Sequence, residues 1–174
     1  PGIHYHITSG DTEIVAERLN RGLFDLAFIA EPPDLSKYNY LELPESDTWG
    51  ALMRKDCPLA EKSEITLEDV IPYPIFCSEQ SVKSDLPRWC GEEVDRLQLM
   101  ATFNLSTNAA VFVEEGLGIT LTFDRLFEIT PDSSLCFRPL SPPLSTKMYI
   151  IWKKYQVFTP ATRLLLEELK QILA

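Results

Sequence analysis

Hydrophobic residues alternate with polar ones over short stretches of the chain and recur at helical spacing between these stretches. In Ile3–Thr8, apolar side chains at alternate positions would share one face of a strand. Leu26–Ala30 is a continuous apolar run, as expected of a strand that is covered on both faces. Strands separated by helices predict an α/β domain with mainly parallel sheets and flanking helices.

The rest of the chain continues this alternation. Helices are predicted at Asp11–Arg21, Thr66–Val70, Leu86–Leu97, about residues 107–115 and from Thr159-Pro160 onward. Further strands are predicted at Tyr40–Leu43, Trp49–Arg54, Pro74–Cys77, Leu99–Leu105, Ile119–Thr122, Leu135–Leu140 and Lys147–Lys153. The apolar face of the fourth helix is predicted to hold Ala110, Val111, Val113 and Leu117, and that of the last helix Leu164, Leu165, Leu169 and Ile172.

Several helix ends carry residues that favour a start or a stop. The side chain of Asp11 can cap the first helix, and Gly22 supplies its end. Ser106 or Thr107 can cap the fourth predicted helix. Thr159 is a capping residue followed by proline at the first helical position, which is a strong signal for a helix start.

The net charge of −10 on 174 residues restricts the partners of the domain. Phosphate neutralisation needs Lys and Arg, so direct binding of nucleic acid is disfavoured, and an anionic membrane surface would repel the chain. No apolar run approaches the ~20 residues that a membrane span needs. No export signal is visible, and the chain opens on Pro-Gly rather than Met.

The four cysteines follow no metal-binding or redox spacing; they are Cys57, Cys77, Cys90 and Cys136. A disulfide stays open on counting alone, but sparse cysteines in a chain with an adequate core favour a reducing cytoplasm. Cys77 stands beside a polar turn, where a reactive thiol is one interpretation. We interpret each cysteine as a small buried hydrophobic residue instead.

No sequence pattern is typical of catalysis. The G-x-S-x-G, Walker and G-x-G-x-x-G motifs are absent. His4 and His6 would share a strand face and could bind a metal with a carboxylate, but a solvated or interface-facing surface is the simpler interpretation. Glu114 and Glu115 are interpreted as a solvated pair, and Lys83 as a solvated side chain. We therefore predict no enzymatic activity, no cofactor and no metal.

Three junctions between a strand and a helix are rich in hydroxyl and amide groups, namely Ser9–Thr12, Ser78–Ser81 and Leu105–Asn108. In parallel sheets, ligands bind outside the carboxyl ends of the strands, where loops meet helix N-termini. Such junctions offer backbone N–H groups to a small anion, for example a carboxylate. The alternative is that these residues only cap their helices.

Several sequence phrases also stand in a fixed order along the chain. They are IHYHI at Ile3–Ile7, SGDT at Ser9–Thr12, Gly22 before FDLAFI at Phe24–Ile29, CPLA at Cys57–Ala60, ITLED at Ile65–Asp69 and VEEGLGI at Val113–Ile119. In this order and spacing, over nearly the whole chain, they resemble the effector-binding domain of LysR-type transcriptional regulators.

This resemblance implies a two-lobed fold similar to type 2 periplasmic binding proteins, with two crossover strands and a ligand crevice between the lobes. One lobe would hold residues 1–51 and 137–174, and the other residues 52–136. The family's effector contacts map onto two turns and two strand ends, namely Ser9, Gly10, Asp11, Thr12, Ser78, Glu79, Gln80, Ser81, Asn104, Thr107, Thr122 and Phe123.

The sequence departs from the family pattern in two ways. The family's N-terminal helix-turn-helix, and the first strand and helix of its effector domain, would precede Pro1 and are not in this sequence. The turn after that first strand usually supplies effector contacts, so the predicted site is incomplete. Where the family often has proline after the Gly-Leu-Gly strand, this chain has Phe123-Asp124, and Asp124 would disfavour an anion close by.

The resemblance implies a cytoplasmic sensing domain that binds a small metabolite, with a carboxylate suggested by the polar junctions. Effector binding would control DNA binding by the missing N-terminal domain, within a homodimer or homotetramer of the full-length protein. DNA would be contacted only through that domain, and a membrane not at all. The alternatives are a solute-binding protein of a transporter and an enzyme, both on the same fold.

Overall fold

The computed structural model describes residues 2–31 and 34–173. Its helices are α1 (Thr12–Asn20), α2 (Leu67–Val70), α3 (Glu79–Lys83), α4 (Asp85–Cys90), α5 (Ser106–Glu114) and α6 (Pro160–Ile172). Its strands are β1 (Ala27–Ala30), β2 (Tyr38–Arg54), β3 (Pro74–Ser78), β4 (Gln98–Phe103), β5 (Ile119–Phe123), β6 (Leu135–Pro139) and β7 (Ser145–Lys153). The predicted α/β class is confirmed.

The chain divides into two compact units, residues 1–46 with 146–174, and residues 47–145. Both passages from one unit to the other fall within strands, because β2 runs through residue 46 and β7 begins at residue 145. These are the two crossover strands that the resemblance implies. The lobe boundaries predicted near residues 51 and 137 stay a prediction.

The first unit is built on the antiparallel pair of β1 and β7, in which Ala27 lies opposite Ile151. Helix α1 contributes Val15 and Leu19, which are buried in one cluster with Ile29 and Ile151. The spacing of Val15 and Leu19 places them on one face of the helix, so α1 covers the sheet with a narrow apolar stripe. Gly22 follows α1 with a positive φ of 74° and ends the helix as predicted.

The second unit has β3 at its centre, with β4 and β5 parallel to it on either side. Strand β5 pairs antiparallel with β2, and β2 pairs antiparallel with β6. Ile75 and Leu121, from β3 and β5, are buried in the main core together with Met53 of β2. Residues 75–77 of β3 and 119–122 of β5 are all buried, as expected of strands that are covered on both faces.

The predicted strand Ile3–Thr8 is wrong, because the structure gives this segment no regular secondary structure. The side chains of Ile3, Tyr5 and Ile7 are exposed. Alternation of apolar and polar residues specifies a face, but a strand also needs a neighbour for its backbone hydrogen bonds. Within the described residues, no strand pairs with this segment.

Three further predicted elements have different bounds in the structure. The strands predicted at Tyr40–Leu43 and Trp49–Arg54 are parts of one strand, β2. The helix predicted at Leu86–Leu97 ends at Cys90, because Gly91 adopts a positive φ of 60° and a 3₁₀ segment follows.

The predicted buried faces of two helices are also partly wrong. On α5, Val113 is buried and Val111 is exposed, and Leu117, which lies beyond the end of this helix, is also exposed. On α6, Leu166 is the buried leucine, and Leu164 and Leu165 are about half exposed. Helical spacing groups residues on a face but does not decide which of two adjoining faces meets the sheet. None of the described helices is long and apolar enough to cross a membrane.

Candidate functional site

The carboxyl ends of three parallel strands meet at one edge of the second unit. Ser78, the last residue of β3, lies opposite Phe103, the last residue of β4. Phe76 lies opposite Thr120, so the same register places Ser78 level with Thr122 on β5. Three segments predicted to contact an effector therefore begin or end at this edge of the sheet.

The segment Ser78–Ser81 forms the start of α3 rather than a turn. The Ser78 side chain accepts a hydrogen bond of 3.1 Å from the backbone N–H of Ser81, and the two hydroxyls are also hydrogen bonded to each other. Ser81 is buried. Ser78 is thus a helix N-cap, which is the alternative role foreseen for this junction.

Glu79 and Lys83 form an exposed ion pair one turn apart on α3, with a distance of 2.7 Å between Oε1 and Nζ. The hydrogen bond from Lys83 lowers the pKa of the Glu79 carboxyl below its usual value. A lysine on an exposed helix face that pairs with its i−4 glutamate is typical of a solvated surface. The structure therefore agrees with the solvated interpretation of Lys83.

Thr122 is the buried hydroxyl residue at the end of β5, with 4 % of its surface exposed. Within residues 34–173, no hydrogen bond of its hydroxyl group is seen. The neighbouring Thr120 differs, because its hydroxyl donates a hydrogen bond of 2.9 Å to the Phe76 carbonyl and links β5 to β3. Thr122 is therefore a hydroxyl at this edge that remains available to a ligand.

Phe123 and Asp124 have structural partners at the same edge. The Phe123 ring lies 4.5 Å from the Trp49 ring, centroid to centroid. The Asp124 carboxylate accepts a hydrogen bond of 3.1 Å from the backbone N–H of Thr48, which joins β5 to β2. Its negative charge lies directly beyond the strand end, as the sequence predicts.

Asn104 and Thr107 follow β4 and are exposed. Helix α5 has Leu105 at its N-cap position, and no side chain caps it. The prediction that Ser106 or Thr107 caps this helix is wrong, because both residues already lie inside its first turn. The backbone N–H groups at the start of α5 are thus not covered by a capping hydroxyl.

The fourth predicted segment, Ser9–Thr12, belongs to the first unit. Asp11 stands at the N-cap position of α1, but its side chain makes no capping hydrogen bond. The Thr12 hydroxyl donates a hydrogen bond of 3.5 Å to the Ala30 carbonyl at the carboxyl end of β1. Ser9 and Gly10 precede the helix in irregular backbone.

Sequence reasoning missed a buried acidic residue of the second unit. Asp85, at the start of α4, is 5 % exposed and accepts a hydrogen bond of 2.9 Å from the Ser84 hydroxyl. Arg88 lies 3.4 Å from its other oxygen and also donates to the Ser145 carbonyl. The sequence signal for Asp85 is an acidic residue at the start of a helix, where a negative charge is favourable. The burial of Asp85 depends on packing that the sequence does not show.

The structure supports the buried interpretation of Cys77. The thiol is fully buried, and burial raises its pKa from 9.0 to about 12. Because the thiolate is the nucleophile, such a thiol is unreactive at neutral pH. His4 and His6 are exposed, and no group of His, Cys, Asp and Glu in the described part of the chain could hold a metal ion.

The family model described as "LysR substrate binding domain" matches residues 1–174. The HTH-type transcriptional activator CmpR of Synechocystis sp. is 29 % identical over 129 residues, which cover 70 % of this chain and 40 % of that protein. The chain thus spans less than half the length of this curated relative. The family and this relative are regulators, which confirms the prediction that the domain is not an enzyme.

Two solved structures show the same fold. The Synechocystis PCC6803 CcmR regulatory domain in complex with 2-PG has a TM-score of 0.82 at 18 % identity, over 99 % of this chain and 85 % of that one. The effector-binding domain of QuiR in complex with shikimate has a TM-score of 0.78 at 17 % identity, over 94 % of this chain and 78 % of that one. Both confirm the predicted two-lobed periplasmic-binding-protein-like fold of type 2. The chain belongs to the LysR substrate-binding domain family.

Proposed function

We propose that this domain binds a small carboxylate-bearing metabolite through the edge of the second unit formed by Ser78, Thr122 and the start of α5. The observation that carries the proposal is the hydroxyl of the buried residue Thr122, which makes no hydrogen bond within the described residues and stands at an edge where three strand ends meet. Two neighbours of this fold were solved with 2-PG and with shikimate, and shikimate is a carboxylate. A ligand carboxylate would accept the Thr122 hydrogen bond.

We propose further that this binding controls DNA binding by a separate N-terminal domain. The curated relative CmpR is named as a helix-turn-helix activator and is longer than this chain. A net charge of −10 makes this domain itself a poor DNA-binding surface, so DNA contact falls to another part of the protein. A homodimer or homotetramer in the cytoplasm is part of the same proposal.

The experiment is a thermal-shift and calorimetric screen of small metabolite carboxylates, with shikimate included. We expect at least one of them to stabilise the protein in a saturable way. Replacing Thr122 by Val keeps the side-chain shape and removes the hydroxyl, which should weaken that ligand about 10- to 100-fold, the effect of losing a hydrogen bond to a charged group.

Thr130→Val is the matched control. Thr130 is exposed, and its carbonyl accepts a hydrogen bond from Lys55. Lys55 lies beyond the amino end of β5, whereas Thr122 lies near its carboxyl end. The same loss of a hydroxyl there should leave the affinity unchanged. Equal affinity of the wild type and Thr122→Val for a ligand that binds would remove this edge from the effector site.

A further inference from the structure

The first unit contains a cavity of about 790 Å³ that the proposed effector site does not use. The cavity is lined by the start of β2, the end of β7, the loop after it and one side of α6. None of the twelve residues predicted to contact an effector lines it. Cavities of about 300–1,000 Å³ are typical of small-molecule sites, so its size admits a ligand.

Three basic side chains line this cavity: Lys154, Arg163 and Lys170. Glu167 is the one acidic residue among those that line it. This excess of positive charge contrasts with the net charge of −10 on the chain. It marks a local site that attracts anions.

The basic residues of the cavity also differ from others in the chain in their partners. Arg54 and Lys83, for example, are paired with carboxylates at 2.6 and 2.7 Å. Within the described residues, the side chains of Lys154 and Arg163 form neither an ion pair nor a hydrogen bond. Their hydrogen-bond donors are thus available to an incoming anion.

An aromatic wall completes the cavity. Trp152 is buried, with 8 % of the residue's surface exposed, and Lys170 Nζ lies 5.8 Å from the centroid of its ring, which holds the cation over the ring. Phe158 and Tyr40 also line the cavity. Aromatic side chains of this kind bind a flat apolar group by stacking, while the neighbouring cations bind an anionic group.

We propose that this cavity is a second ligand site, which takes a small aromatic monocarboxylate. The ligand ring lies against Phe158 and Tyr40, and its carboxylate accepts hydrogen bonds from Arg163 and Lys154. Glu167 repels a second carboxylate, so a monoanion is favoured over a dianion. The site draws its lining residues from the first unit alone.

The test is a calorimetric titration in which 2-naphthoate is the probe. The protein titrated is the full-length protein that carries this domain. We expect saturable binding. Lys154→Gln and Arg163→Gln should each weaken it about 10- to 100-fold, the effect of removing one charge-assisted hydrogen bond. The uncharged analogue 2-naphthalenemethanol should bind at least about tenfold more weakly for the same reason.

Lys153→Gln is the matched control, because Lys153 adjoins Lys154 in sequence and does not line the cavity. The proposal predicts unchanged affinity for this variant, with circular dichroism confirming that all variants fold. Equal affinities of Lys153→Gln and Lys154→Gln for the probe would overturn it. So would the absence of saturable binding, which is the result expected if another segment of the polypeptide fills the cavity.

Discussion

Raising the pH should destabilise the fold through the buried thiol of Cys77. Burial raises the pKa of this thiol from 9.0 to about 12 in the folded protein. The unfolded chain exposes the thiol, so its pKa returns to the ordinary value. Between these two values the folded state binds more protons than the unfolded state. The free energy of unfolding therefore falls as the pH rises through this window.

The magnitude follows from the size of the shift. Each pKa unit corresponds to about 1.4 kcal/mol, so the shift of about three units limits the whole effect to about 4 kcal/mol. Below about pH 8 almost none of it is felt, because the thiol is protonated in both states. At about pH 10 the loss should reach roughly 1–2 kcal/mol.

The assay is urea unfolding, followed by tryptophan fluorescence, of the wild type and Cys77→Ala at about pH 8 and about pH 10. Other groups that titrate in this range, such as Tyr73, are common to both proteins and cancel in the comparison. We expect the stability advantage of the wild type to shrink by roughly 1–2 kcal/mol at the higher pH. Cys90→Ala is the control, since Cys90 is only partly buried. Parallel pH dependence of the wild type and Cys77→Ala would refute the reasoning.

Three other predictions follow from local packing. Gly50→Ala should unfold the protein or lower its free energy of unfolding by more than about 3 kcal/mol in chemical denaturation, because a Cβ there would overlap the Phe137 ring. Gly22→Ala should lower the free energy of unfolding by only about 1 kcal/mol, because the space around Gly22 is open. Thr159→Ala should lower the stability by about 1 kcal/mol in the same assay, because the Thr159 side chain caps α6. In mass spectrometry after native alkylation at neutral pH, the half-buried Cys57 should be modified well before Cys77.

The sequence predicted helix ends well where the local chemistry is sufficient. Thr159 caps α6 through the backbone N–H of Thr162, as its pairing with the following proline indicates. Gly22 ends α1 with a positive φ. Both outcomes depend on residues within one turn of each other, so a single sequence contains the information they need.

Features that depend on distant residues were predicted less well. Ile3–Thr8 has the alternation of a strand, but a strand also depends on a pairing partner elsewhere in the chain. The burial of Leu166 rather than Leu165 depends on the angle at which α6 meets the sheet. Neither quantity is encoded in local periodicity.

The candidate site shows the same division. Hydroxyl residues at strand ends were visible in the sequence, and the family resemblance assigned twelve residues, six of them Ser or Thr, to a site. That Ser78 and Thr122 lie level with each other depends on the parallel pairing of β3 with β5, more than 40 residues apart. The Ser78 hydroxyl caps α3, whereas the Thr122 hydroxyl makes no hydrogen bond within the described residues. This difference depends on the three-dimensional packing and could not be predicted from the sequence.

The most direct test of the central claim, that this chain is the sensing part of a longer regulator, is the native polypeptide itself. Intact mass and N-terminal sequencing of the protein from its own cells would define it. We predict a chain longer by roughly one small domain, ~100 residues, that carries a basic helix-turn-helix. A native start near Pro1, or a cleaved export signal directly before it, would contradict the account.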